Sequence, residues 1–393
     1  MRIIFHVDVN NAFLSWTALY LLKNGYNRDI REIPAVIAGD EATRHGIIVA
    51  KSTPAKKYGI VSAEPVFMAK KKCPKLEVFP PNYDFYLEMS NKFYDYLKDF
   101  TPIIEQASID ECFLDFTNTK YLYDDIISLA YKMKEEIKAK FNFTVNIGIG
   151  NNKLCAKMAS DFEKPDKVHT LFMNEIEEKM WPLPVSSLLF VGKSSVKILE
   201  SIGIKTIHDL AVADLHLLQK YFKNRSLNLI RNANGIDESI VDNSSYQNKC
   251  LSISRTLEKD TSDEKQLKRI LLDMSNKIGL RARKEKLYAK TVAITFKTSS
   301  FKAFSHQVTL VNSINNTMDI YHEITKLFDL MEKNFLVRSI GIRLGDLENK
   351  DKEQISLFDN KKDNDSIQQL MDNINNKYQS TVILPAIFYE NKK

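Results

Sequence analysis

Cysteine is scarce in this chain of 393 residues: there are four, Cys73, Cys112, Cys155 and Cys250, with no C-x-x-C pair. That spacing argues against a disulfide framework or a zinc site and for a reducing, cytoplasmic setting. Long apolar runs are missing too. No stretch reaches membrane-spanning length, and the N-terminus enters a strand without the charged segment and apolar core of a leader. No membrane partner is expected. Charge of one sign barely prevails, at +6 overall, which is too little by itself to name a partner. Glycine patterns that cradle a nucleotide are also missing. Gly150-Asn151-Asn152-Lys153 has lysine where a dinucleotide fingerprint needs its third glycine, and Gly192-Lys193-Ser194 has Ser187 where a P-loop needs its first.

What remains is an ordinary soluble composition, 44% hydrophobic and 27% charged, at a length that predicts two to four domains. Its centre is the stretch 103–116. Apolar runs flank Ser108-Ile109-Asp110-Glu111, so the stretch reads as a β-hairpin with two adjacent carboxylates near its turn. Neighbouring anions repel and are comfortable only in water or on a cation. A third acid tips the reading towards a cation. Residues 3–7 form a short apolar run, as in a strand buried on both faces, Asp8 ends it, and a helix over 12–23 follows. If that strand lies beside the hairpin, Asp8, Asp110 and Glu111 converge on one sheet. Oxygen ligands of this kind suit Mg²⁺. Two such ions together activate an attacking hydroxyl and stabilise a leaving phosphate oxygen.

Phe5-His6-Val7-Asp8-Val9-Asn10-Asn11-Ala12-Phe13, with Ser108-Ile109-Asp110-Glu111-Cys112-Phe113-Leu114-Asp115, resembles the Y-family translesion DNA polymerases of the bacterial polymerase IV and V type. The resemblance covers about residues 1–346 and implies a multidomain α/β right-hand polymerase. It implies an α/β palm at 1–13 and 81–172, small fingers at 14–80, a helical thumb at 173–236 and a linker at 237–248. A ferredoxin-like little finger at 249–346 and a tail at 347–393 complete the plan.

The rest of the chain can be read beside that plan. Residues 33–38 and 46–50 look like strands, and 54–58 like a short helix with a basic edge of Lys51, Lys56 and Lys57. Tyr86, Met89, Phe93, Leu97 and Phe100 make a helical core stripe. A helix over 122–140, a strand over 143–149 and a helix through Asp161 follow. Lys153, Lys157 and Lys164 fall on one face if that last helix continues. Helix 193–201, the turn Ile202-Gly203-Ile204-Lys205 and a cap at Thr206 suggest a helix–hairpin–helix, whose glycine lets turn amides approach a phosphate. Residues 250–344 read as β-α-β-β-α-β. The region 246–350 holds 19 Lys/Arg against 12 Asp/Glu, 19 − 12 = +7, with a basic run at Arg281, Arg283 and Lys284. Beyond 347 the chain turns polar around one apolar island, Gln354-Ile355-Ser356-Leu357-Phe358. Residues 367–378 carry a helical stripe that the resemblance does not explain.

The resemblance implies an error-tolerant, template-directed DNA polymerase with no proofreading segment. Asp8 and Asp110 bridge two Mg²⁺ per active site, the Val9 carbonyl adds an oxygen, and Glu111 holds the hydroxyl-side ion. Thr53, Lys56 and Lys164 meet the triphosphate of the incoming dNTP. Thr53 and Lys56 stand where tyrosine and arginine are common, and lysine keeps the charge while losing the bidentate fork. Asn10 receives no metal role. Phe13 is the steric gate against a ribose hydroxyl. Gly203, Lys205, Arg281, Arg283 and Lys284 grip primer–template DNA, and Gln354, Leu357 and Phe358 engage a β-type sliding clamp. A monomer is expected. Two other readings compete. A nucleotide cyclase needs neither the basic domain nor the clamp peptide, and a non-catalytic DNA-binding factor predicts degenerate acids, whereas all three are present.

Overall fold

The computed structural model describes residues 2–41, 44, 46–244, 248–331, 335–349, 362–378, 382–383 and 386. Gln354, Leu357 and Phe358 lie outside them. The chain divides into two compact units, one built from 1–41 and 46–245, the other from 42–45 and 246–393.

The first unit opens with β1 (Ile4–Val9), buried along its whole length as its apolar run requires, and α1 (Ala12–Lys23). A small lobe follows: β2 (Ala35–Ala38), β3 (Ile48–Lys51), α2 (Thr53–Lys57), α3 (Val66–Lys72) and β4 (Glu77–Phe79). Its sheet runs β3-β2-β4, with β4 parallel to β2. Neither α3 nor β4 was expected. Both are short, and the Lys70-Lys71-Lys72 end of α3 hides its periodicity. Next come α4 (Tyr83–Leu97), β5 (Ile104–Gln106), β6 (Glu111–Asp115), α5 (Ile126–Phe141), β7 (Val145–Gly150), α6 (Lys153–Asp161) and β8 (Val168–Leu171). The expected stripe on α4 is buried at Tyr86, Met89, Phe93 and Leu97. Helix α5 starts at Ile126, later than residue 122, because Asp125 caps it by accepting from Ser128 N at 2.7 Å.

The five-stranded sheet runs β5-β6-β1-β7-β8, so β1 is central and antiparallel to both neighbours. One face packs Phe5, Val7 and Val9 against Trp16, Tyr86, Phe93 and Met133. The other face carries His6, Asp8 and Gly148, and α6 lies directly on it. A Cβ at Gly148 would stand 2.0 Å from the Ala156 carbonyl oxygen, so only glycine admits the helix at this distance.

Four helices end the unit: α7 (Lys193–Ser201), α8 (Ile207–Ala211), α9 (Leu215–Phe222) and α10 (Ser226–Ala233). Thr206 caps α8 as expected, with Asp209 returning the bond in a capping box. The stretch read as a linker is laid on this unit up to residue 244. Val241 is buried, and Asp237 accepts from Leu154 N, the first turn of α6.

In the second unit β9 (Cys250–Thr261), α11 (Glu264–Lys284), β10 (Leu287–Thr298), β11 (Ala303–Ile314), α12 (Thr317–Asp329) and β12 (Val337–Asn349) follow the expected order. The sheet runs β11-β10-β12-β9 with every pair antiparallel. Two split β-α-β units therefore interleave in the expected β-α-β-β-α-β order, but the first and third strands lie at the edges, where a ferredoxin-like sheet has them in the middle. Val292, Ile294, Ile340, Ile342 and Leu344 pack under α11 and α12. A last helix, α13 (Lys362–Lys377), contains the unexplained stripe.

Candidate active site

The β1–β6 register sets Asp8 opposite Glu111, and Val9 N–H donates to Asp110 O at 3.0 Å. Residues paired across antiparallel strands share a face, so the two carboxylates stand side by side on the α6 face. Asp110 adjoins them in the turn, where its carboxylate accepts from Ser108 Oγ at 2.6 Å. Two lysines hold the negative charge together. Lys157 Nζ bridges Glu111 at 2.7 Å and Asp8 at 3.2 Å, and Lys164 Nζ meets Asp8 at 2.7 Å. Lys157 sits one turn into α6, on the face that Gly148 brings down onto the sheet.

The charges shift one another. Burial, opposed by the Ser108 bond and reinforced by Asp8 and Glu111, raises the Asp110 carboxyl above its usual range. Glu111 lies below its usual range: the His6 ring beside it acts through space and the Lys157 ammonium binds it directly, both against its own burial. Burial disfavours the charged forms of Lys157 and Lys164, yet the facing carboxylates raise both. His6 itself is lowered by burial. Its Nδ1 meets Ser160 Oγ at 2.8 Å, and its Nε2 faces Glu111 at 3.6 Å, too long for a hydrogen bond.

The donor set suits a hard divalent ion: three carboxylates, all oxygen. The two ammoniums lie against Asp8 and Glu111 where a cation belongs. Among the described residues no three acid, histidine or cysteine side chains close into a ready cage. Lys157 bridges two of the acids, and Asp110 is turned to Ser108.

Phe13, in the first turn of α1, is half-buried. It stacks on Tyr86 with ring centres 4.8 Å apart and meets Trp16 and Tyr83 edge-on. Tyr86 is fixed in turn by a 2.6 Å bond between its hydroxyl and Thr17 Oγ1. Thr53 and Lys56 lie on α2 and make no hydrogen bond or ion pair with the acids. Ser52, not singled out from sequence, caps that helix and ties it to Ile33 O and Ala35 N.

Several of the residues expected to grip DNA already have partners within the chain. The amides of the turn at Gly203 are already taken: Gly203 N binds Glu200 O, Ile204 N binds Leu199 O, and Lys205 N binds Asp209. The Lys205 side chain carries the charge of this turn. Arg281 pairs with Glu285 at 3.1 Å. Arg283 has a side chain only 10% exposed and is bound to Asp372 of α13 and to Asn315 O at 2.7 Å. Lys284 is exposed near the same helix. The open face of this sheet, away from α11 and α12, is different in kind. Alternate positions present Ser252, Ser254, Thr295, Ser305, Gln307 and Arg343, all exposed, with Lys297 beside them. Periodicity in the sequence marked the strands but not which face the helices would leave bare.

Beyond this geometry, the chain is similar to known proteins over most of its length. The impB/mucB/samB family matches residues 7–161, and its C-terminal domain matches 248–357. A DNA polymerase IV from Clostridium acetobutylicum is 44% identical over 394 residues, 100% of this chain and 99% of that protein. The chain belongs to the impB/mucB/samB family of Y-family DNA polymerases. A DNA polymerase IV from Bacillus subtilis is 33% identical over 97% of this chain and 92% of its own length. A solved Y-family DNA polymerase chimera shares the fold, with a TM-score of 0.79 and 22% identity, over 88% of this chain and 99% of that one. Other residues around the acids were not offered as site residues from the sequence. Lys157 had only helical spacing to mark it. Asn146 and Ser160 offer no pattern until α6 is seen lying on β7.

Proposed function

We propose that this Y-family polymerase joins a deoxynucleotide to a primer 3′-hydroxyl by two-metal chemistry, with Asp8, Asp110 and Glu111 as the catalytic acids. The pairing of Asp8 with Glu111 across β1 and β6, beside Asp110, carries the reading. Asp8, Asp110 and the Val9 carbonyl would hold two Mg²⁺, with Glu111 on the hydroxyl-side ion. Bound there, the ions would lower the pKa of the primer hydroxyl and offset charge on the phosphates. The chain's own residues prepare that step. Adjacent strands fix the acids, and Lys157 and Lys164 keep them together before substrate arrives. Lys164, with Thr53 and Lys56, then turns to the triphosphate. Phe13, braced by Tyr86, lies against the sugar.

Residues 1–13 and 81–172 act as palm, 14–80 as fingers, 173–236 as thumb and 249–346 as little finger. Duplex backbone is gripped by the hydroxyl-rich open sheet face with Arg343 and Lys297, and by the side chain of Lys205. Gln354, Leu357 and Phe358 bind a sliding clamp. The chain works as a cytoplasmic monomer; among the described residues no helix is long and apolar enough to cross a membrane. Replacing Asp110 by Asn removes an anionic ligand while keeping its shape. Primer extension should fall by several orders of magnitude with DNA binding nearly intact, and near-normal incorporation would refute the site.

A further inference from the structure

Asn10 stands two residues beyond Asp8, buried, with no part in the acid cluster. Its carboxamide joins a chain of bonds whose direction is forced at both ends. Asn146 Nδ2 lies 2.9 Å from Ser160 O and 2.6 Å from Glu163 O; carbonyls only accept, so this atom must be the donor. Asn146 Oδ1 is then an acceptor and takes Asn10 Nδ2 at 3.1 Å and Lys167 N at 3.3 Å. Asn10 Oδ1 accepts from Asp166 N at 2.9 Å and from Thr144 Oγ1 at 3.0 Å. Neither amide can flip without setting like against like. Asn146 is 0% exposed and Asn10 7%, so water replaces none of these bonds.

The partners of this relay, Ser160, Glu163, Asp166 and Lys167, flank Lys164 on both sides. We infer that Asn10 and Asn146 are positioning residues for Lys164, fixing the 160–167 segment so that its ammonium reaches the Asp8 side of the site. This rests on the reading of Lys164 as a triphosphate contact. An aspartate at 10 would keep both acceptor roles but set an oxygen against Asn146 Oδ1, releasing the segment.

The test is single-nucleotide kinetics on full-length protein, comparing Lys164→Met, Asn10→Asp, Asn146→Ala and the Lys164→Met/Asn146→Ala double variant. Asn146→Ala breaks the relay without adding charge near the acids. Lys164→Met should raise KM for the dNTP about tenfold. Each relay variant should raise KM by a similar factor with kcat changed far less, and the double variant should be no worse than Lys164→Met alone. A normal KM in Asn146→Ala, with Lys164→Met impaired, overturns the relay and leaves the Lys164 contact standing. Full additivity in the double variant also overturns it. A normal KM in Lys164→Met removes the contact itself and the inference with it. Thermal melting identifies any variant that merely unfolds; if Asn10→Asp does, Asn146→Ala decides alone.

Discussion

Phe13 gives the sharpest residue-scale case. A lone aromatic in a first helical turn is ordinarily core, and part of this ring is: Tyr86 stacks on one face, and Trp16 and Tyr83 close its edges. A ring so held cannot move aside for an extra hydroxyl, so it can discriminate by repulsion without touching deoxyribose favourably. Ala12 beside it is small and makes the neighbourhood looser. Phe13→Ala should therefore keep deoxynucleotide incorporation and admit ribonucleotides far more readily, by tenfold or more on the usual scale of one lost steric clash, ~1–3 kcal/mol. Steady-state incorporation of both sugars decides it. Equal loss of both would return Phe13 to the core, and an unchanged ratio would end its role as a gate.

At the scale of elements, the sequence was most legible where periodicity and burial agree. The run before Asp8 read as a buried strand and 103–116 as a hairpin, so spacing offered three acids that converge if the two lie side by side, and the resemblance supplied their roles. What spacing could not give was which side chains meet across elements. The contact of Lys157 with Glu111 depends on Gly148 being bare, which is a fact about β7 and α6 together. On the basic run of α11, spacing and burial disagree at one residue. Its charges looked like a DNA grip, yet Arg283 faces inward to bind Asp372, as a guanidinium does when a carboxylate and a carbonyl surround it. The grip should lie on the other side of the sheet. Arg343→Gln with Lys297→Gln should weaken duplex binding for all sequences alike and reduce the slope of log affinity against log salt by about 0.9 per lost phosphate contact. Arg281→Gln with Lys284→Gln should change that slope less. Isotherms between low and moderate salt separate the two, and the reverse ranking would return the grip to α11.

For the whole molecule, the tail offers a partner rather than a reaction. Strand β12 ends at Asn349 and α13 begins at Lys362, so the peptide 354–358 falls in sequence between two elements of one unit. Helix α13 is anchored there by a polar side: Asp372 binds Arg283, and Gln368, 6% exposed, donates to Asp372. Its Ile367 and Leu370 remain open, at 58% and 60% exposure. The peptide's only apolar side chains are Ile355, Leu357 and Phe358. A short segment in a clamp pocket draws most of its affinity from one or two such anchors, each worth ~2 kcal/mol when removed, or about thirtyfold. Leu357→Ala with Phe358→Ala should thus cut clamp affinity by at least that factor. The ratio of clamp-stimulated to unassisted synthesis should fall with it. Because neither residue is one of the acids or of the sheet-face side chains, unassisted synthesis has no reason to change. Primer extension with and without a β-type clamp reads the ratio directly. The same stimulation in parent and variant would mean that Gln354 to Phe358 match a clamp peptide by chance and that the clamp, if bound, is held elsewhere.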